Sequence, residues 1–179
     1  MGRYLAPLAA VLLAASAHAS KGDVPPTRPV ALLTPIEFAD HATAMDWIKS
    51  ECTLPKLVEE LIVADFRKTG LGGDITSSLA SGYVVKVVIE RANAQKGGGW
   101  SGPKTLSVSA KLYGDGVLLR STESSGEAKS MNMFAGSCAS LEKAGRKATP
   151  HIAEWLRNVE LAKYDHLSTP AAAAAASAP

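Results

Sequence analysis

A strong charge bias, a second long apolar run and a recognisable catalytic signature are all missing from this 179-residue chain. Lys and Arg number 19 against 17 Asp and Glu, a net charge of only +2. Electrostatic capture of nucleic acid or of an anionic membrane is therefore not expected. Beyond the N-terminal segment, no stretch approaches the roughly 18 consecutive apolar residues of a membrane-spanning helix, so no transmembrane segment is expected in the mature chain. Cysteine is scarce, occurring only at Cys52 and Cys138. Neither lies in a C-x-x-C pair or beside a cationic cluster, which argues against a reactive thiol. There is no H-x-x-x-H for a metal and no G-x-S-x-G between strand and helix for a serine nucleophile. No internal repeat is visible.

What is present begins at the N-terminus. Arg3 supplies a short positive region, residues 5–15 (LAPLAAVLLAA) an apolar run too short to span a bilayer, and Ala17-His18-Ala19 an A-x-A site. This is the pattern of a secretory signal peptide over residues 1–19, with cleavage before Ser20 and a periplasmic or secreted product. The cleavage region holds no cysteine for lipid attachment. Export changes the reading of the two cysteines. In an oxidising compartment, Cys52 and Cys138 are expected to form a disulfide; the alternatives are two separate buried thiols or a reactive cysteine.

Residues 20–29 (SKGDVPPTRP) hold three prolines and read as an extended linker, and residues 168–179 (STPAAAAAASAP) as a disordered Ala/Pro tail. A single globular domain is expected over residues 30–167. Within it, residues 30–38 form a strand candidate in which Pro35 requires an edge or a bulge. Residues 40–49 suggest a short helix. Residues 55–68 (PKLVEELIVADFRK) predict a helix with Pro55 in its first turn, an apolar stripe on Leu57, Val58, Leu61 and Ile62, and Gly70, Gly72 and Gly73 as its stop. Residues 83–90 (YVVKVVIE) are so rich in β-branched side chains that the strand should be central or buried on both faces. Residues 105–113 alternate, with Leu106, Val108, Ala110 and Leu112 inward and Thr105, Ser107, Ser109 and Lys111 outward. Gly114-Asp115-Gly116 should turn this strand into a partner over residues 117–122. Residues 124–137 read as irregular. Residues 138–159 predict a long helix, capped by Ser137 and kinked or split at Pro150.

The expected fold is α/β of the two-layer α+β kind, in the order β-α-β-β-β-α. A mainly antiparallel sheet of about four strands would carry helices on one face. Both cysteines would then lie near helix N-termini, where a disulfide staples the helices together.

No residue set forms a clear active site. Residues 97–105 (GGGWSGPKT) resemble a phosphate loop, but Pro103 separates Gly102 from Lys104 and the segment joins two strands. It reads as a hairpin loop. Trp100, between glycines that include Gly98 and Gly99, is a candidate partner contact; the competing reading folds it back over the sheet edge. His41 lies near Asp40 and Asp46, but no metal-ligand spacing is completed. His151 and Glu154 sit one helical turn apart as a solvated pair. Glu59 and Glu60 are adjacent and point apart, so they cannot flank one scissile bond. No cofactor and no metal are expected.

Residues 136–157 (GSCASLEKAGRKATPHIAEWLR), with the exported N-terminus and Cys52, resemble a family of small uncharacterised exported bacterial proteins. The element order is also similar to the domain of envelope-assembly and penicillin-binding-protein-activator lipoproteins. The resemblance carries over no functional residue. Export, the absence of a catalytic grouping and the Gly/Trp loop point to an accessory or binding protein of the cell envelope, not an enzyme, with an envelope protein or cell-wall component as partner. The alternatives are a secreted inhibitor of a wall-degrading hydrolase and a small hydrolase with a scattered site. Replacing Trp100 with alanine should weaken partner binding and leave stability nearly unchanged, as read by copurification and a thermal melt; normal binding or unfolding would remove the loop from the interface.

Overall fold

A computed structural model describes residues 29–95, 102–129 and 136–167. The expected signal segment, most of the linker and the Ala/Pro tail lie outside the described residues. The chain runs β1 (Val30–Ala44), α1 (Asp46–Glu51), α2 (Leu54–Thr69), β2 (Gly72–Thr76), β3 (Tyr83–Asn93), β4 (Lys104–Gly114), β5 (Val117–Ala128) and α3 (Ser137–Asn158), and then a 3-10 helix (Leu161–Leu167).

One sheet holds five strands in the order β2-β1-β3-β4-β5. β1 is parallel to both β2 and β3, whereas β3, β4 and β5 form an antiparallel meander. The expectation of four mainly antiparallel strands is thus corrected to a mixed sheet of five. β2 (GGDIT) has one large apolar residue and no period-two pattern, so its glycines read only as the end of α2. They serve both purposes. Gly70 takes the left-handed C-cap conformation (φ 76°), and two residues later the chain enters β2. Helices α1 and α2 carry the chain back over the sheet between β1 and β2, which allows those strands to run parallel. β3 is the middle strand, as its β-branched run predicts.

β1 also extends through residues expected to be helical. Thr43 and Ala44 pair with Arg91 and Ala92, and the helix starts only at Asp46. Pro35 sits in an internal strand, so of the two options an edge is excluded and a bulge remains. The register slips between Leu33 and Glu37, around the cis Thr34–Pro35 bond.

Both long helices cover the same face, α2 over β1 and β2 and α3 over β4 and β5. The core joins Val85, Val87 and Ile89 of β3 and Leu106, Val108 and Leu112 of β4 to Leu54, Val58, Ile62 and Phe66 of α2 and Leu141, Ile152 and Leu156 of α3. The helices are tied to each other by Thr149, whose Oγ1 donates to Asp65 Oδ2 at 2.7 Å. Cys52, between α1 and α2, is joined by a disulfide to Cys138 in the first turn of α3, across 86 positions of sequence. A loop of that size constrains the unfolded chain by about 4.6 kcal/mol in the chain-entropy account.

α3 is one unbroken helix from Ser137 to Asn158. Pro150 lies on its exposed side, so the carbonyl of Arg146, which loses its donor, also faces outward where water can serve it. Ser137 is not the cap. Gly136 is the N-cap residue, and Ser137 Oγ instead donates to the Gln95 carbonyl at 2.9 Å, fastening the helix start to the end of β3.

β5 continues to Ala128, through residues expected to be irregular. The inward positions there are Ser124, Gly126 and Ala128, small enough for α3 to lie directly on the strand but too polar to show an apolar alternation. Ser124 Oγ donates to the Ala148 carbonyl at 2.9 Å. A Cβ on Gly126 would overlap the Ala144 carbonyl oxygen and stand 3.0 Å from the Ala148 nitrogen. Because backbone stands in the way, Gly126→Ala should lower the unfolding free energy by about 3 kcal/mol; an unchanged urea midpoint would show that α3 does not press on the strand.

Candidate functional site

The face of the sheet opposite the helices is bare of any described helix, and the outward side chains of β1, β3 and β4 gather there. Two register slips decide which ones meet. β1 takes five residue steps from Phe38 to Thr43 while β3 takes two from Ile89 to Arg91, so residues 39–42 bow out of the ladder. β3 in turn has one residue more than β4 between Ile89 and Arg91. Glu90 is therefore the extra residue opposite β4 and stands unpaired across from the bowed segment of β1. Its bulge also flips the parity of β3: the positions that join the core are Tyr83, Val85, Val87 and Ile89 before it, and Ala92 and Ala94 after it.

The bulges aim Glu90 at two partners. Ser109 Oγ donates to Glu90 Oε1 at 2.6 Å. His41 Nε2 lies 2.8 Å from Glu90 Oε2, with the histidine side chain 82% exposed and the glutamate 20%. With Nε2–H committed to Glu90, Nδ1 is the lone-pair nitrogen of the neutral ring. In a hydrolytic triad, histidine stands between hydroxyl and carboxylate and takes the hydroxyl proton. Here the carboxylate stands between serine and histidine. The arrangement orients three polar groups, and it gives Ser109 no histidine base.

Next to this line, Lys86 and Lys111 are direct cross-strand neighbours. Both are exposed, and neither has a carboxylate partner among the described residues. Like charges placed opposite each other across an antiparallel pair are destabilising. Together with Glu37, Phe38, Asp40, His41, Glu90 and Tyr113 they line a shallow cavity of about 210 Å³. That is below the roughly 300–1,000 Å³ of a site enclosing a drug-sized ligand. The face is suited to contact with side chains of a larger partner.

Of the residues singled out in the sequence, Cys52 and Cys138 are brought together as the disulfide. Trp100, Gly98 and Gly99 lie outside the described residues. His41 reaches Glu90 and neither Asp40 nor Asp46. His151 and Glu154 are both exposed on the outer side of α3. Among the described residues, no group of three or more His, Cys, Asp or Glu side chains could hold a metal ion, and no helix is long and apolar enough to cross a membrane. Glu90, Lys86 and the Lys86–Lys111 pairing were not legible in the sequence. The outward set of β4, Lys111 included, was, but only the register sets Lys86 against it.

No family model and no curated protein sequence matches the chain. Among solved structures, it is similar to a DUF330 family-model protein from Xanthomonas campestris, with a TM-score of 0.50 and 14% identity over 78% of this chain and 88% of that one. This likeness speaks for the fold alone. Weaker likenesses are to the PelC dodecamer from Paraburkholderia phytofirmans (TM-score 0.42, 16% identity, 68% of this chain and 86% of that one) and to a minor lipoprotein from Acinetobacter baumannii (TM-score 0.36, 11% identity, 73% and 88%).

Glu90 anchors the site, so Glu90→Ala should lower stability in urea by about 1–2 kcal/mol through the orphaned Ser109 hydroxyl. His41→Ala should cost less than about 0.5 kcal/mol, as expected for an exposed pair. The reverse order would mean that Glu90 is not the anchor.

Proposed function

We propose that this chain is an exported accessory protein of the bacterial cell envelope, which holds a macromolecular partner on its open sheet face and catalyses no reaction. The observation that carries the reading is the Lys86–Lys111 pair. A directly opposed like-charge pair costs the free protein stability, and an acidic group on a partner, docked between the two ammonium groups, would offset that cost. The shallow cavity and the central position of Glu90 in the Ser109–Glu90–His41 line favour recognition over covalent chemistry. Export is supported by the pattern of residues 1–19 and by the disulfide, which suits an oxidising compartment. The partner class is an envelope protein or a cell-wall component that presents acidic groups.

Lys111→Glu separates stability from binding. The new opposite-charge pair with Lys86 should raise the unfolding free energy by about 0.2–1 kcal/mol. The same change should abolish the partner recovered after in-cell crosslinking and copurification. A variant that retains the partner would overturn the assignment of the open face. Hydrolysis of wall or ester substrates by the purified protein, lost in Ser109→Ala, would replace the reading with that of a small hydrolase.

A further inference from the structure

A second cleft lies in the helical layer, where the end of α3 and the 3-10 helix meet the first residues of β5. Its cavity is about 190 Å³. Arg120 pairs with Leu112 and so belongs to the helix-covered face of the sheet, away from Lys86 and Lys111. The cleft is independent of the open-face reading.

The walls of this cleft are pinned. Trp155 and Tyr164 are half-buried against the core. Tyr83 Oη donates to the Leu161 carbonyl at 3.1 Å in a buried hydrogen bond, which fastens the start of the 3-10 helix to β3. Arg120 Nε donates to Tyr164 Oη at 2.8 Å, so the phenol orients the guanidinium at the cleft. That hydrogen bond holds the Arg120 pKa above its ordinary value. The nearest acid is committed elsewhere: Glu160 pairs with Lys163, whose hydrogen bond holds the carboxyl below its usual range. Among the described residues that line the cleft, Arg120 therefore has a neutral hydrogen-bond partner and forms no salt bridge, while the Glu160 carboxylate, paired with Lys163, acts on it only through space.

We propose that this cleft binds the carboxylate-bearing ring of an acidic sugar, a uronic acid residue. Arg120 keeps the two Nη groups of its guanidinium for the carboxylate, a geometry that lysine cannot supply. Trp155 offers an aromatic surface to the C–H face of the ring, and aromatic anchors of this kind lose little conformational entropy on binding. The Asn158 amide both donates and accepts, as sugar hydroxyls require. One cation outside any salt bridge, with the Glu160 carboxylate nearby, matches one carboxylate better than a doubly charged phosphate. A peptide carboxylate is usually captured by a nest of backbone N–H groups, and this site is built from side chains. The volume admits one ring, with its neighbours in the glycan left outside.

The test is a calorimetric titration of the full exported chain with tetragalacturonate, with maltotetraose as the neutral sugar and polyglutamate as the carboxylate without a sugar ring. Binding of tetragalacturonate alone is the expected result. Arg120→Gln should weaken it about tenfold or more, as loss of a charge-assisted hydrogen bond predicts. Arg120→Lys should not restore it. Tyr164→Phe, which leaves the arginine charge in place but unoriented, should weaken it to a lesser degree. Arg120 is exposed, so its variants should keep the urea midpoint. Absence of tetragalacturonate binding, equal binding of maltotetraose or polyglutamate, or full affinity in Arg120→Gln would each overturn the proposal.

Discussion

The close seat of α3 on β5 is the constraint on which the rest of the molecule depends. Backbone meets backbone there, because Gly126 offers no Cβ and Ser124 and Ala128 offer little more. A helix lying this near the sheet brings Leu141, Ile152 and Leu156 down onto Leu106, Val108 and Leu112, and apolar burial of that kind is the main favourable term in folding. It also sets the height at which Thr149 reaches Asp65 and at which the start of α3 comes within disulfide distance of Cys52, with Cα atoms 5.4 Å apart. The far end of the same helix, with β5, makes the cleft at Arg120.

The other face is shaped by the strands alone. Regular pairing would have placed Glu90 in register among its neighbours. The bulges in β1 and β3 leave it unpaired in both ladders, directed at Ser109 and His41. Bulges commonly re-aim side chains in this way, at the cost of local ladder hydrogen bonds. The same slip lets β3 bury alternate residues on either side of Glu90 with opposite parity, so one strand serves both the core and the open face.

A mixed sheet with helices on one side leaves its second side bare of any described helix. The opposed Lys86–Lys111 pair, outside any salt bridge, is the electrostatic mark of that face, and Arg120, held by a phenol, is the equivalent mark in the helical layer. The two differ in chemistry. The lysines sit on a shallow exposed surface suited to a macromolecule, whereas Arg120 is oriented by a phenol beside tryptophan, in a space suited to one small ring.

The amino-acid sequence by itself determined the elements whose signals are local. The stripe of α2, the β-branched run of β3, the alternation of β4, the turn at Asp115 and the body of α3 all follow from periodicity and turn chemistry within a few residues. The number and direction of the strands, and both sites, were decided only by tertiary structure. β2 is a strand because β1 lies beside it, and the second half of β5 is a strand because α3 covers it; neither has an apolar pattern of its own. His41 meets Glu90, Lys86 meets Lys111 and Arg120 meets Tyr164 across 49, 25 and 44 positions of sequence. Pairings at that distance depend on register, bulges and the seating of a helix. These are properties of packed elements together, and no single segment of the chain encodes them.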